Sequence, residues 1–144
     1  MKTFCCMVAA LALAGAATLP AAAEEKEKDV KKAATRVFEL RTYYAAPGKM
    51  DALNARFRDH TNVLFKKHGM EIIGFWQPTD PKEADKKLIY VLAFPSKEAA
   101  DKSWKAFRED PDWIKAKEAS EKDGKLVDKV DSVFLNPTDY SPIK

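Results

Sequence analysis

The chain has 144 residues, with 25 Lys and Arg against 22 Asp and Glu and a net charge of +3, which bounds it to one domain and little more. The two signs are interleaved, with no basic run longer than a pair such as Lys31-Lys32, so nucleic-acid binding, which needs a concentrated positive face, is not implied. Both cysteines, Cys5 and Cys6, sit in the first apolar run, and beyond it there is no thiolate nucleophile, disulfide framework or cysteine-based metal site.

Residues 1–23 read as a secretory signal peptide. Lys2 is a lone positive charge, Phe4 to Ala17 is apolar, and Ala21-Ala22-Ala23 supplies the small residues a peptidase needs. The apolar run is too short to span a bilayer, and no lipobox precedes the cysteines. The processed chain is therefore expected to be secreted or periplasmic, without a stable membrane anchor. Residues 24–35 are charged and nearly free of large apolar groups, which predicts a flexible leader.

The domain is expected over residues 36–141. Arg36 to Tyr44 alternates, with Phe38, Leu40, Thr42 and Tyr44 on one face of a strand and Val37, Glu39, Arg41 and Tyr43 on the other. Pro47-Gly48 marks a turn. Met50, Leu53, Phe57, Thr61, Leu64 and His68 then recur at helical spacing, and Gly69 stands where a left-handed cap belongs. Met70 to Thr79 predicts a second strand, followed by a hairpin loop at residues 78–82. Lys87 to Pro95 predicts a third strand. Ser96 caps a helix whose inward residues are Ala99, Ala100, Trp104 and Phe107, and Asp110-Pro111 restarts it. Gly124 stops that helix, Leu126 to Asn136 forms the last strand, and residues 137–144 are a tail.

The order is βαββαβ. It predicts an α+β, ferredoxin-like domain with a four-stranded antiparallel sheet and the helices on one face. Two helices cover only one side, yet strands two and three are apolar in both phases, which a wetted sheet face does not explain. A second copy meeting it face to face would cover it, giving a homodimer; the tail or leader folding back is the competing cover.

Phe38-Glu39-Leu40-Arg41-Thr42-Tyr43, Pro47-Gly48-Lys49, Lys67-His68-Gly69, Gly74-Phe75-Trp76 and Asp110-Pro111-Asp112-Trp113 resemble, in order and context, the motifs of the NIPSNAP family, and residues 133–138 resemble its last strand. The resemblance implies a dimeric α/β barrel. Animal members are linked to mitochondrial quality control and vesicle transport, roles that an export signal and a single domain do not carry over. Related barrels include haem-binding proteins, cofactor-free monooxygenases and small isomerases, an analogy of fold alone.

If Phe38 and Leu40 face the helices, Glu39, Arg41 and Tyr43 point into the space between subunits. There they form a structural ion pair, the favoured reading, or bind a polar ligand, with Glu39 as a possible base. His60 borders the core stripe, and it and His68 stand too far apart for a helical metal pair. Trp76 and Tyr90 lie on strands apolar in both phases and are candidates to line a pocket. The ligand-binding candidates are thus Glu39, Arg41, Tyr43, His60, Trp76 and Tyr90; no cofactor and no metal are expected. The expected role is binding a small apolar or amphipathic molecule, or scaffolding in the cell envelope. The alternative is a cofactor-independent monooxygenase or isomerase of the barrel type.

Overall fold

The computed structural model describes residues 36–144; the predicted signal peptide (1–23) and charged leader (24–35) lie outside the described residues. The elements are β1 (Val37–Ala45), α1 (Met50–Arg56), a π-helical turn (Phe57–Thr61), α2 (Asn62–Lys67), β2 (Glu71–Trp76), α3 (Pro81–Ala84), β3 (Lys87–Phe94), α4 (Lys97–Glu109), α5 (Pro111–Ser120) and β4 (Val127–Leu135). The strands form one antiparallel sheet in the order β2-β3-β1-β4. Two βαβ units interleaved in this order make the ferredoxin-like α+β fold.

The first helical segment follows its apolar stripe. Met50, Leu53, Phe57, Thr61 and Leu64 are buried, and α1, the π-helical turn and α2 run on without a break. Inside the wide turn the Thr61 hydroxyl donates to the Arg56 carbonyl at 3.2 Å, which satisfies a buried polar group. The segment ends at Gly69, whose φ of 71° is one that glycine adopts without strain. Met70 N–H donates to the Phe65 carbonyl and Gly69 N–H to the Lys66 carbonyl, the paired bonds of a Schellman cap.

Ser96 Oγ accepts from Ala99 N–H at the start of α4, and Asp110 Oδ1 accepts from Asp112 N–H at the start of α5. The short α3 replaces part of the hairpin loop expected at residues 78–82. Its start repeats the aspartate-then-proline signature of α5: Asp80 Oδ1 accepts from Lys82 N–H, and Pro81 takes the first turn.

The core lies between the helices and one face of the sheet. Leu88, Tyr90, Leu92 and Phe94 of β3 meet Leu53, Phe57, Leu64 and Phe65 on one side and Ala100, Trp104 and Phe107 on the other. This corrects the facing expected for β1. Phe38 and Leu40 do not face the helices; Glu39, Arg41 and Tyr43 do. The register pairs Glu39 with Leu92, Arg41 with Tyr90 and Tyr43 with Leu88, and directly opposed residues share a sheet face. The bulkier set of β3 residues goes to the helices and takes the charged set of β1 with it.

The other face carries Phe38, Leu40, Val91, Val133, Leu135 and Trp76. The C-terminal segment returns across part of it. Arg36 donates to the main-chain oxygen of Lys144, and Pro137, Ser141 and Ile143 join Phe38, Ile73 and Trp76 around a shallow groove. Trp76 and Val133 nevertheless each remain 51% exposed. The indole of Trp76 lies over Gly74, where an added Cβ would fall 2.8 Å from the ring.

Candidate functional site

The structure brings Glu39, Arg41, Tyr43 and Tyr90 together beneath α4, and leaves His60 and Trp76 elsewhere. His60 is exposed, which corrects its expected place beside the core: it falls one residue before the inward-pointing Thr61 and so turns out to solvent. Trp76 sits on the opposite face of the sheet, paired with Ile89.

Glu39 is 2% exposed, and both its oxygens are occupied. Oε1 accepts from Arg41 Nη1 at 2.9 Å and from Ser132 Oγ at 2.6 Å, while Oε2 accepts from Trp104 Nε1 at 2.5 Å. A buried carboxylate survives desolvation when donors surround it in this way. The Arg41 guanidinium lies 4.1 Å from the Trp104 ring centroid and 5.7 Å from that of Tyr43. Its Nε is buried without a hydrogen-bond partner among the described residues. Tyr90 is fully buried, and its hydroxyl likewise has no partner among the described residues. Burial, with Tyr43 beside it, pushes that hydroxyl well above the ordinary phenol range, so it stays protonated.

Above this cluster opens a cleft of about 920 Å³ between the β1–β4 side of the sheet and α1, α4 and α5. Its walls include residues that the sequence did not mark as site residues, Arg56, Trp104, Phe107 and Trp113 among them. Arg56 is 5% exposed; its Nη1 donates to Glu121 Oε1 at 2.8 Å, its guanidinium stands 5.3 Å from the Trp113 centroid, and its buried Nε has no hydrogen-bond partner among the described residues. Its signal was available, because it lies three residues after Leu53 and so on the inward side of the helix. Trp104 and Trp113 pack against the core and line the cleft at once.

A second polar cluster joins the helices. Asp110 Oδ2 meets His68 Nε2 at 2.6 Å and Lys67 Nζ at 2.8 Å. Hydrogen bonds from Lys67 and then His68 hold its carboxyl well below the usual range. Because Asp110 is ionised, His68 Nε2 carries the hydrogen. Among the described residues no group of three or more potential ligands could hold a metal ion, and no helix is long and apolar enough to cross a membrane.

The NIPSNAP family model matches residues 38–142. Among proteins of curated function none matches the chain. A NIPSNAP family protein of unknown function from Agrobacterium tumefaciens is similar in structure, with a TM-score of 0.66, 20% identity, and coverage of 77% of this chain and 96% of that one. A NIPSNAP-like domain protein from Burkholderia xenovorans has a TM-score of 0.65 at 14% identity, covering 76% and 90%. A cofactor-independent oxygenase from Streptomyces nogalater has a TM-score of 0.51 at 10% identity, covering 76% and 99%. At these identities the likeness is one of fold.

Proposed function

The chain belongs to the NIPSNAP family, and from that premise we propose that it is an exported, homodimeric domain that binds a small amphipathic molecule in the cell envelope. The observation that carries the binding reading is the cleft between sheet and helices, walled by Trp104, Phe107 and Trp113 and bordered by Arg41 and Arg56. Apolar walls with a few fixed polar groups are what small-molecule sites are made of.

The dimer reading is supported by the sheet face opposite the helices. Trp76, Val133 and Leu135 stay about half-exposed there even with the C-terminal segment across part of it, and a second copy is the cover that symmetry supplies most simply. Export is supported by the composition of residues 1–23.

The enzyme alternative, a cofactor-independent monooxygenase or isomerase, has the weaker support. A base must be free to take a proton, and both Glu39 oxygens already accept hydrogen bonds. Tyr90 is held in its protonated form.

Native mass spectrometry of the protein purified from its own host tests all three parts at once. The expected species is twice the mass of a chain beginning close to Glu24, with a bound small molecule. A full-length chain would defeat export, a monomer the assembly, and a dimer with no adduct the binding role.

A further inference from the structure

The helix α5 forms one wall of the cleft, through Trp113, Ile114, Lys117 and Glu118, and of the three helices around it α5 is the least embedded. Only Ala116 of its ten residues is buried, whereas α4 buries Ala100, Trp104 and Phe107 and α1 buries Met50, Leu53 and Arg56. Trp113 is half-buried beside Phe107, with the ring centroids 4.5 Å apart, and Ile114 stands exposed. Little apolar area holds α5 down, and elements of that kind open before the rest of a domain unfolds.

Its two ends are fastened differently. At the start, the buried Asp110 ties α5 to the end of α2: Oδ1 accepts from Asp112 N–H, and Oδ2 meets His68 and Lys67. That end is a pinned pivot. At the far end, Arg56 Nη1 donates to Glu121 Oε1 at 2.8 Å and to Ser120 Oγ at 3.3 Å, and Lys49 Nζ reaches the Asp123 carbonyl from the surface. Just beyond, Gly124 takes a φ of 107°, and a Cβ there would meet nothing within 4 Å, so the turn towards β4 has room to flex.

The Arg56 contact holds α5 in place without holding it tightly. The groups that meet its guanidinium are Ser120, Glu121 and the Trp113 ring, all on α5 or at its C-terminal cap, so lifting α5 uncovers it. A buried cation repays its desolvation only when its donors are matched, and the buried Nε has no hydrogen-bond partner among the described residues. Lifting α5 breaks the bond to Glu121 but returns Nε to water, and the two effects offset each other. Leverage adds to this. A helix of ten residues is about 15 Å long, so a swing of about 20° around Asp110 carries Glu121 roughly 5 Å and widens the cleft.

We propose that α5 is a lid on the cleft: it opens as one unit about the pinned Asp110, and the Arg56–Glu121 pair is the catch that closes it. The inference concerns a wall of the cleft and needs no ligand, so it is tested on the protein alone and apart from the small-molecule reading.

Amide hydrogen exchange, followed residue by residue by NMR, reads the opening. The helical amides of Ile114 to Ser120 should share one opening constant, larger by roughly tenfold or more than that of Asp101 to Glu109 in α4. Glu121→Gln keeps the shape of the catch and drops its charge, and should raise exchange in α5 alone by roughly another fivefold. Glu118→Gln removes the same charge from α5 without touching the catch, and should leave exchange unchanged. Protection in α5 equal to that in α4 overturns the lid. So does exchange that rises smoothly towards Ser120, which is fraying from one end. An effect of Glu121→Gln that spreads equally to α4 and β1 is a loss of global stability, and it overturns the catch, as does an equal response to Glu118→Gln.

Discussion

Trp104 on α4 and Glu39 on β1 meet across the sheet–helix interface, with the indole Nε1 2.5 Å from Oε2 of the carboxylate. The helix thus completes a set of donors that the sheet alone leaves unfinished, since Arg41 and Ser132 both reach the other oxygen.

Trp104→Phe keeps a large ring but removes the donor to Oε2. An unsatisfied buried acceptor costs about 1–3 kcal/mol, so urea unfolding should show a loss of that size. A variant as stable as the parent would mean that the ring at position 104 only packs and its hydrogen bond adds no stability.

Arg41→Ala leaves Glu39 buried without its counter-charge. Breaking a buried pair from one side costs about 3–5 kcal/mol, and because Trp104 and Ser132 still donate, a loss near the lower end is expected. Glu39→Gln plus Arg41→Met should restore most of it. If the double variant is no better than Arg41→Ala in denaturant melts, the pair is not what stabilises this interface.

Much of this arrangement was legible in the sequence. The element order, the aspartate and serine caps and the glycine stop were all written in local chemistry. What was not legible was which face of β1 meets the helices. Alternation divides Phe38 and Leu40 from Glu39 and Arg41, but register with β3 decides where each set points, and register is a long-range property. The clue lay in β3, where Leu88, Tyr90, Leu92 and Phe94 outweigh Ile89, Val91 and Ala93 in volume. Following that set to the helices would have carried Glu39 with it. The cleft was harder still, because Arg56, Trp104 and Val127 come from three distant segments that only the fold assembles.

Gly69→Ala tests the cap that separates α2 from β2. With φ at 71°, a side chain there is strained, and the Schellman bonds to Phe65 and Lys66 depend on that turn. A loss of about 1 kcal/mol is expected from thermal unfolding; a neutral substitution would show that the turn relaxes freely.

Asp110 predicts an acid limb. Lys67 and then His68 hold its folded pKa below the ordinary value of 3.8. A depressed carboxyl contributes stability above its unfolded pKa and loses it as pH falls through the folded one. The melting temperature of the parent should therefore exceed that of Asp110→Asn near neutrality, with the gap closing below about pH 4. A gap that is the same at both ends would remove Asp110 from the acid response.

Val133→Glu places a charge on the exposed sheet face without touching the helix side. If that face joins two copies, light scattering should show the parent at twice the chain mass and the variant at one, with similar circular dichroism. A parent that is already monomeric at micromolar concentration would refute the assembly.

The wide turn at Phe57–Thr61 bears on how this helix tolerates changes of length. Elsewhere in an α-helix, losing one residue rotates everything after it by about 100°, which would swing Leu64 and Phe65 off the core. A π-helical turn already holds one residue in excess. A gene copy lacking one codon between Phe57 and Thr61 would close into an unbroken α-helix with both ends still in phase. Deletion of a residue, ordinarily barred from the middle of a packed helix, has one permitted address in this one.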